Sequence, residues 1–352
     1  MNLTDYHKRK KFFLKSEPWC VDRLEITDSE ILISGWAVPR DGFWDSVKFF
    51  VNDEPVEFSH KLCRNDLVQV FPFWEEIGET GFNILIAKEM LSEDDETVII
   101  SRHGDSIDAK YGNYYFPVKK ALYGNLPPAR LRTQVHGSDS PSSFVLEGYS
   151  SYKKINYLFM EYLGKGYESI SPILDWGCGC ARVCRYMYEA NKEVYGADVN
   201  GEGIDWCLAN LSSRFDVSGL NPPLPYPDNH FEAIYGISVL THLGLEDQMK
   251  WIEELLRVTQ KSGLIILSYH GLSSLLRFNL SDQDFEELQL RNYLNIGKNH
   301  SFGRDSDVGS KYYDTVQLAP SFQKIAQVHS LDLFFHSGVF GNHQDVVVIK
   351  KN

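Results

Sequence analysis

The sequence predicts an α/β protein in which a mostly parallel sheet, ending in an antiparallel hairpin, follows a smaller all-β domain. Short β-type runs separated by turn formers fill residues 20–118. From about residue 150 onward, strand-like and helix-like patterns alternate, which is typical of a parallel sheet covered by helices. The last two β-type runs, 331–335 and 345–349, are too close together for a helical crossover, so they should pair antiparallel.

Length, composition and charge set outer limits on the function. A chain of 352 residues favours two domains, and 43% hydrophobic with 24% charged residues is ordinary for a globular protein. The net charge of -13 disfavours nucleic-acid binding, because binding phosphates requires a basic face. A small molecule or a neutral glycan is therefore the favoured partner. Six cysteines are too few for a disulfide framework, which favours a reducing, cytoplasmic compartment.

Changes in composition and in hydrophobic pattern along the chain predict four segments. Residues 1–19 are an N-terminal tail: the basic run at 7–11 precedes only three apolar residues, so no secretory signal is expected, and no stretch is long enough to span a bilayer. Residues 20–118 form a β-sandwich-like domain. Residues 119–150, which are rich in proline and glycine, are a linker and entry segment. Residues 151–352 form the α/β domain.

Within the all-β domain, β-type runs lie at 31–38, 47–51, 56–58, 81–87 and 97–101. Trp36 is expected in the core of this domain, with stacking on a sugar as the alternative. In the α/β domain, strands are expected at 173–174, 193–197, 231–239 and 263–268. Helices are expected at 151–164, 182–190 and 246–259.

A glycine-containing loop opens the α/β domain. Asp175, Gly177 and Gly179 follow a strand and precede a predicted helix. Glycines there let the backbone approach a ligand closely. A dinucleotide site would need a glycine at the sixth place of the turn, where Arg182 stands, so a dehydrogenase is disfavoured. A carboxylate beside the ligand suits a cation such as an aminoacyl sulfonium, and Asp198, at the end of the next strand, suits two ribose hydroxyls.

The loop resembles motif I of class I S-adenosylmethionine-dependent methyltransferases, whose pattern is acid-x-Gly-x-Gly-x-Gly, with Ala181 in place of the last glycine. The resemblance covers about residues 130–352 and includes residues 224–234, which resemble the run leading into strand four. It implies a Rossmann-like methyltransferase sheet and S-adenosyl-L-methionine as cofactor. Family members often carry an acid for the adenine amine where this chain has Leu220. The cofactor contacts that the resemblance implies are Asp175, Gly177, Cys178, Gly179, Ala181, Asp198, Val199, Leu220 and Ser238.

Two histidines are the candidate catalytic residues. Ligands of open parallel sheets bind at the carboxyl ends of the strands. His242 follows the fourth strand and His270 the fifth, and an alcohol acceptor needs a base as it loses its proton. Each could instead pack or cap a loop. Residues 272–310 are a long insertion, expected to be either a lid over the acceptor or a surface excursion.

No metal site is expected. Cys178 and Cys180 are too close together for the usual zinc spacing, so they and Cys184 and Cys207 are expected to be loop and core residues. The favoured function is O-methylation of a small molecule or glycan. The alternative is a non-catalytic binding or scaffold protein with a vestigial methyltransferase fold, which would not bind the cofactor.

Overall fold

The computed structural model describes residues 17–39, 43–71, 74–92, 95–102, 109–119, 125–211, 214–278, 280–298 and 312–352. Most of the predicted N-terminal tail lies outside these ranges, as do residues 299–311 of the predicted lid. Within them, no helix has the length and apolar character needed to cross a membrane.

The N-terminal part of the chain, from Trp19 to Pro117 and called the front domain below, forms two antiparallel four-stranded sheets. Their strand orders are β1-β2-β6-β5 and β4-β3-β7-β8. Their strands are β1 (Trp19–Ile26), β2 (Glu30–Ala37), β3 (Phe49–Val51), β4 (Glu54–Val56), β5 (Ser59–Leu62), β6 (Gly81–Ala87), β7 (Thr97–Arg102) and β8 (Tyr114–Pro117). Apolar residues from both sheets share one core. Trp36 is buried and packs against Phe71, with ring centroids 5.5 Å apart.

The second sheet has seven strands in the order β11-β10-β9-β12-β13-β17-β16. They are β9 (Ile173–Trp176), β10 (Val194–Asp198), β11 (Phe215–Val217), β12 (Phe231–Gly236), β13 (Thr259–Tyr269), β16 (Asp332–Phe340) and β17 (Gln344–Lys350). The first five pair in parallel, whereas β17 pairs antiparallel with both β13 and β16. The predicted α/β class, with its terminal hairpin and preceding antiparallel sheets, is confirmed.

Helices cover both faces of this sheet and connect the domains. The α-helices are α1 (Asn65–Val70), α2 (Ala109–Gly112), α3 (Ala129–His136), α4 (Pro141–Leu163), α5 (Gly201–Asn210), α6 (Leu245–Val258), α7 (Asp282–Arg291) and α8 (Gln323–His329). Short 3-10 helices lie at Trp44–Ser46, Glu75–Glu79, Lys88–Met90, Tyr167–Ser169, Cys184–Tyr186, Leu240–His242, Leu272–Arg277 and Ala319–Phe322. Apolar residues of α4 and α5 pack on one face of the sheet, and those of α6 and α8 pack on the other.

The helix predicted at 151–164 begins earlier, at Pro141. Ser140 caps it by accepting a hydrogen bond from the Ser143 amide, and proline suits the first helical position. The added turns pack into the sandwich core through Val145 and Leu146. The Ser150 hydroxyl bonds both the amide and the carbonyl of Tyr115 in β8. One helix therefore belongs to the cores of both domains.

The prediction of a helix at 182–190 is wrong. This segment forms turns around the 3-10 helix Cys184–Tyr186. Val183 and Tyr186 are buried, as are Cys184 and Met187. These two pairs are each three residues apart, which matches the three residues per turn of a 3-10 helix.

The insertion after β13 extends past its predicted end at residue 310 and folds back onto the residues that follow β12 and β13. Within its described part, the 3-10 helix Leu272–Arg277 and α7 lead into a hairpin of β14 (Tyr293–Lys298) and β15 (Tyr313–Gln317). The amide of Gln317 donates to the carbonyl of His270, 2.8 Å away. The insertion is therefore structured where it meets the two candidate histidines.

Candidate active site

A cavity opens at the carboxyl ends of β9, β10 and β12. The loops after these strands meet there, as expected for an open parallel sheet. Eight of the nine predicted cofactor residues line it: Asp175, Gly177, Cys178, Gly179, Asp198, Val199, Leu220 and Ser238. The ninth, Ala181, does not. It is fully buried and packs in the core beneath the loop, where its left-handed backbone (φ 58°) shapes the turn.

Both glycines of the loop are required by backbone conformation and space. Gly177 has φ 76°, and a Cβ there would lie 2.2 Å from Cγ2 of Val239. Gly179 has φ 56°, and a Cβ there would lie 2.6 Å from Cγ2 of Val135. Larger residues at either position would push these walls away from the cavity.

Asp198 joins the glycine loop to the next turn. One carboxylate oxygen accepts a hydrogen bond from the Gly179 amide at 2.8 Å, and the other accepts one from the Asn200 amide at 2.7 Å. Burial raises the pKa of Asp198, while its backbone hydrogen bonds act in the opposite direction. Because each carboxylate oxygen has further lone pairs, this fixed group can also accept hydroxyls of a ligand.

Asp175 lies on β9 at the floor of the cavity. Its side chain is almost fully buried, and burial raises its pKa to about 7. A cation in the cavity would favour the ionised form, because an opposite charge nearby stabilises a carboxylate. This end of the cavity therefore suits a positively charged ligand.

Another part of the cavity wall is less polar. Val199 and Leu220 line it beside Ser218 and Gly219, and the Ser218 amide is bonded to the carbonyl of Asp198 at 2.8 Å. The Leu220 position thus offers an apolar wall, where an acid would have offered a hydrogen bond. A flat aromatic base fits such a wall by packing.

A second cavity adjoins the first. Six residues line both cavities: Gln134, Val135, Arg182, Ser238, His242 and Tyr312. Ser238 stands at this junction with φ 62°, and its hydroxyl accepts a hydrogen bond from Nε2 of Gln344 at 3.0 Å. The second cavity is the space in which a molecule could reach a ligand bound in the first.

His242 faces both cavities with one nitrogen already bound. Its Nδ1 lies 3.0 Å from the carbonyl of Tyr313 and 3.6 Å from the Asp314 carboxylate, and its ring stacks on Tyr312 at 4.0 Å. A carbonyl accepts only, so Nδ1 carries the proton and Nε2 keeps its lone pair. Burial lowers the pKa of His242, so the ring is neutral at pH 7.

His270 is held in the same way but farther from the first cavity. Its Nδ1 lies 3.1 Å from the carbonyl of Thr315, the next residue but one along β15, and it lines the second cavity only. Burial, with a smaller contribution from His242, lowers its pKa to about 3. The same strand thus fixes both predicted histidines, but only His242 lies at the junction.

The sequence reasoning missed the wall contributed by α3 and α4. Glu147 lies 3.0 Å from Nη1 of Arg182 and 3.7 Å from Nδ1 of His136, whose Nε2 bonds the Ser143 hydroxyl. Burial alone would raise the pKa of Glu147, but the positive charges around it outweigh burial and lower it. The capping serine and proline at 140–141 were the signal that this segment is an ordered helix.

The four neighbouring cysteines, Cys178, Cys180, Cys184 and Cys207, are buried free thiols. Over the described ranges, no cluster of three or more histidine, cysteine, aspartate or glutamate side chains could hold a metal ion. Burial raises the pKa of each of these thiols, so they are protonated and pack as small apolar groups.

The comparisons with known proteins agree with this geometry. Residues 174–267 match the family described as "Methyltransferase domain". This region is a class I S-adenosylmethionine-dependent methyltransferase domain. Phosphoethanolamine N-methyltransferase of Plasmodium falciparum is 26% identical over 132 residues, which cover 35% of this chain and 47% of that protein. The match thus spans about half the length of this relative.

Solved structures of low identity are also similar to this chain. Magnesium protoporphyrin IX methyltransferase of Synechocystis PCC 6803, with bound S-adenosylhomocysteine, is 13% identical, covers 66% of this chain and 92% of its own, and has a TM-score of 0.39. A protein of Pyrococcus horikoshii OT3 is 17% identical, with 58% and 91% covered and a TM-score of 0.40.

The methyltransferase cavity fits its cofactor. Asp175 would provide a negative charge for the sulfonium and ammonium, and Asp198 would provide acceptors for two ribose hydroxyls. Val199 and Leu220 would provide an apolar wall for adenine.

Proposed function

We propose that the protein transfers a methyl group from S-adenosylmethionine to a hydroxyl oxygen of a small molecule or glycan, with His242 as general base. The observation that carries this proposal is the position of His242 at the junction of the two cavities, with Nδ1 bonded to the carbonyl of Tyr313. When bound, the cofactor would supply a methyl group on a sulfonium, so that the oxygen–methyl bond forms in line as the carbon–sulfur bond breaks and S-adenosylhomocysteine leaves.

The residues of the chain have separate tasks in this scheme. Asp175 holds the sulfonium and ammonium part of the cofactor, and Asp198 holds its ribose. Nε2 of His242 accepts the hydroxyl proton as the oxygen–methyl bond forms, and the carbonyl of Tyr313 and the carboxylate of Asp314 then stabilise the imidazolium. Alignment of the acceptor with the methyl group supplies the remaining acceleration.

The test begins with cofactor affinity and then measures turnover. S-adenosylhomocysteine should bind the full chain in calorimetry, and a set of sugars and small alcohols should be screened for its formation from S-adenosylmethionine. A chain that does not bind S-adenosylhomocysteine would favour the alternative, a non-catalytic binding or scaffold protein.

An amine acceptor is the second candidate. It is favoured by the 26% identical relative, whose name specifies methylation on nitrogen. The same base at His242 would remove a proton from an ammonium group. Mass spectrometry of the product, with fragmentation to locate the added methyl, distinguishes a methyl ether from an N-methyl group.

A cytoplasmic location stays a prediction. Six free cysteines, four of them buried, suit a reducing compartment in which disulfides do not persist. Localisation of a tagged chain in its native cell tests it.

A further inference from the structure

The second cavity carries positive charge in a protein whose net charge is -13. Three arginines line it, Arg130, Arg182 and Arg277, against a single carboxylate, Glu147. A charge inside a partly enclosed space of low dielectric constant attracts a ligand of the opposite charge strongly. The excess of positive charge in this cavity therefore favours an anionic ligand.

Two of the three arginines are already paired. Arg182 forms an ion pair with Glu147 at 3.0 Å, and Arg130 pairs with Glu202, which lies outside the cavity. Arg277, by contrast, makes no hydrogen bond or ion pair with the part of the chain that the structure describes. It is exposed, at the end of the 3-10 helix Leu272–Arg277.

Arg277 lies where the second cavity meets a third one between the two domains. It lines both of them, together with Val70, Glu147 and His343. The guanidinium is thus reached from the acceptor side of the methyltransferase domain and from the front domain.

The neighbouring histidines add no charge beside Arg277. Nδ1 of His343 bonds the carbonyl of Gly341 at 2.9 Å, as Nδ1 of His270 bonds that of Thr315. Burial, and to a smaller extent the charge of Arg277, lowers the pKa of both rings, so they stay neutral at pH 7. Among the described residues Arg277 has no hydrogen-bond or ion-pair partner, so its positive charge is available to a ligand beside these neutral rings.

We propose that the acceptor carries an anionic oxyacid group, a carboxylate or a phosphate, which pairs with Arg277 while its methylated atom lies at His242. The inference rests on the proposed function and deepens it. A planar guanidinium with five donors matches both kinds of anion by paired hydrogen bonds. The pairing would fix one end of the acceptor and leave the other end directed at the junction of the cavities.

Inorganic phosphate and acetate are the probes for the first test. Each is titrated into the full chain saturated with S-adenosylhomocysteine, at constant ionic strength set with chloride, and binding is followed by thermal shift and calorimetry. The Arg277→Gln variant should bind the preferred anion at least about tenfold more weakly than the unmodified chain, because a charge-assisted pair is lost. Whichever anion binds more tightly identifies the source of the charge.

Arg291→Gln is the matched control. Arg291 is an exposed arginine at the end of α7, paired with Glu287 and away from the cavity, so its loss should leave anion binding unchanged. If S-adenosylhomocysteine binds but neither anion binds more tightly than chloride, or if Arg277→Gln binds anion as well as Arg291→Gln does, the proposal is wrong while the methyltransferase assignment stands. Absence of S-adenosylhomocysteine binding would instead refute the assignment itself.

A turnover arm uses the acceptor directly. Hydroxyl compounds are tested in sets that differ only in carrying no anion, a carboxylate or a phosphate. The anionic members should be the better substrates, and Arg277→Gln should raise KM for them by about tenfold or more while leaving KM for the neutral member unchanged. Equal KM values across a set in the unmodified protein would overturn the proposal.

Discussion

The first cavity, called the cofactor cavity below, and the second, called the acceptor cavity because we propose that the acceptor binds there, are built from the chain in different ways. Most residues of the first cavity lie between Asp175 and Trp251, many of them in the loops that follow the strands β9, β10 and β12 of one sheet. The second is assembled from distant segments: Val70 of the front domain, the helices α3 and α4, residues 270–278, and the start of β17. A local motif thus forms most of the first cavity, whereas the second cavity, where we propose that the acceptor binds, exists only after the front domain has packed against the rest of the chain.

The two cavities also differ in how their polar groups are fixed. Asp198 is held by backbone amides of its own and the preceding loop. His242 and His270 are held by carbonyls of β15, which belongs to an insertion. Replacing His242 should therefore impair catalysis and leave cofactor binding intact, whereas replacing Asp198 should impair cofactor binding.

Replacement of His242 should give the largest effect. His242→Ala should lower kcat by ~10²–10⁴-fold, the usual contribution of a general base, with little change in cofactor Kd. His242→Gln should be similarly slow, because the amide can bond the carbonyl of Tyr313 but cannot take a proton. His270→Ala, which leaves the junction intact, should cost less. Equal kcat in all three variants would place the base elsewhere.

The next effect concerns cofactor affinity. Asp198→Ala should weaken S-adenosylhomocysteine binding by ~1–3 kcal/mol, because ribose hydroxyls lose a charged acceptor and two backbone amides lose their partner. Calorimetry measures it, with Asp216→Asn as control. Asp216, on the neighbouring strand, accepts a hydrogen bond from Tyr226 and does not line the cavity. Unchanged affinity in Asp198→Ala would remove this residue from the site.

Asp175 predicts a pH dependence confined to the cofactor cavity. In the free protein its pKa is raised to about 7, and a bound cation should lower it. Affinity should then be complete above pH 7 and fall by up to about tenfold per pH unit below it, because the carboxyl must first lose its proton.

Calorimetry between pH 5.5 and 8, in buffers of different ionisation enthalpy, should detect the proton released on binding. Asp175→Asn should bind more weakly at pH 8 and show no such release. Release that persists in Asp175→Asn would assign the proton to another group.

The same contrast explains how much could be predicted from the sequence. Asp175, Gly177, Gly179 and Asp198 lie at fixed places relative to strands, so pattern alone located them beside the cavity. Glu147 and Arg277 carry no local pattern, and their position follows from packing between segments far apart in the chain.

The segments 119–150 and 182–190 also show that local pattern does not predict structure that depends on tertiary packing. Residues 119–150 were assigned to a linker and entry segment on their prolines and glycines, yet α3 and the start of α4 lie there and line the acceptor cavity. The segment 182–190 has helical propensity, but buried side chains on more than one side hold it in turns. Tertiary packing decided both cases, and propensity does not encode it.

The smallest effect is expected for Ala181→Gly, which tests whether a residue that shapes the glycine loop, without lining the cavity, also influences cofactor affinity. Ala181 holds a left-handed backbone, which costs a residue with a Cβ roughly 1–2 kcal/mol, and Ala181→Gly would relieve this strain. The glycine would also lose a buried methyl, worth about 0.8 kcal/mol, and gain freedom in the unfolded chain. These terms nearly cancel, so urea unfolding should show a change below about 1 kcal/mol. Because Ala181 does not line the cavity, the Kd for S-adenosylhomocysteine should stay within about threefold. A tenfold loss of affinity would mean that the methyl sets the shape of the loop and, through it, cofactor affinity.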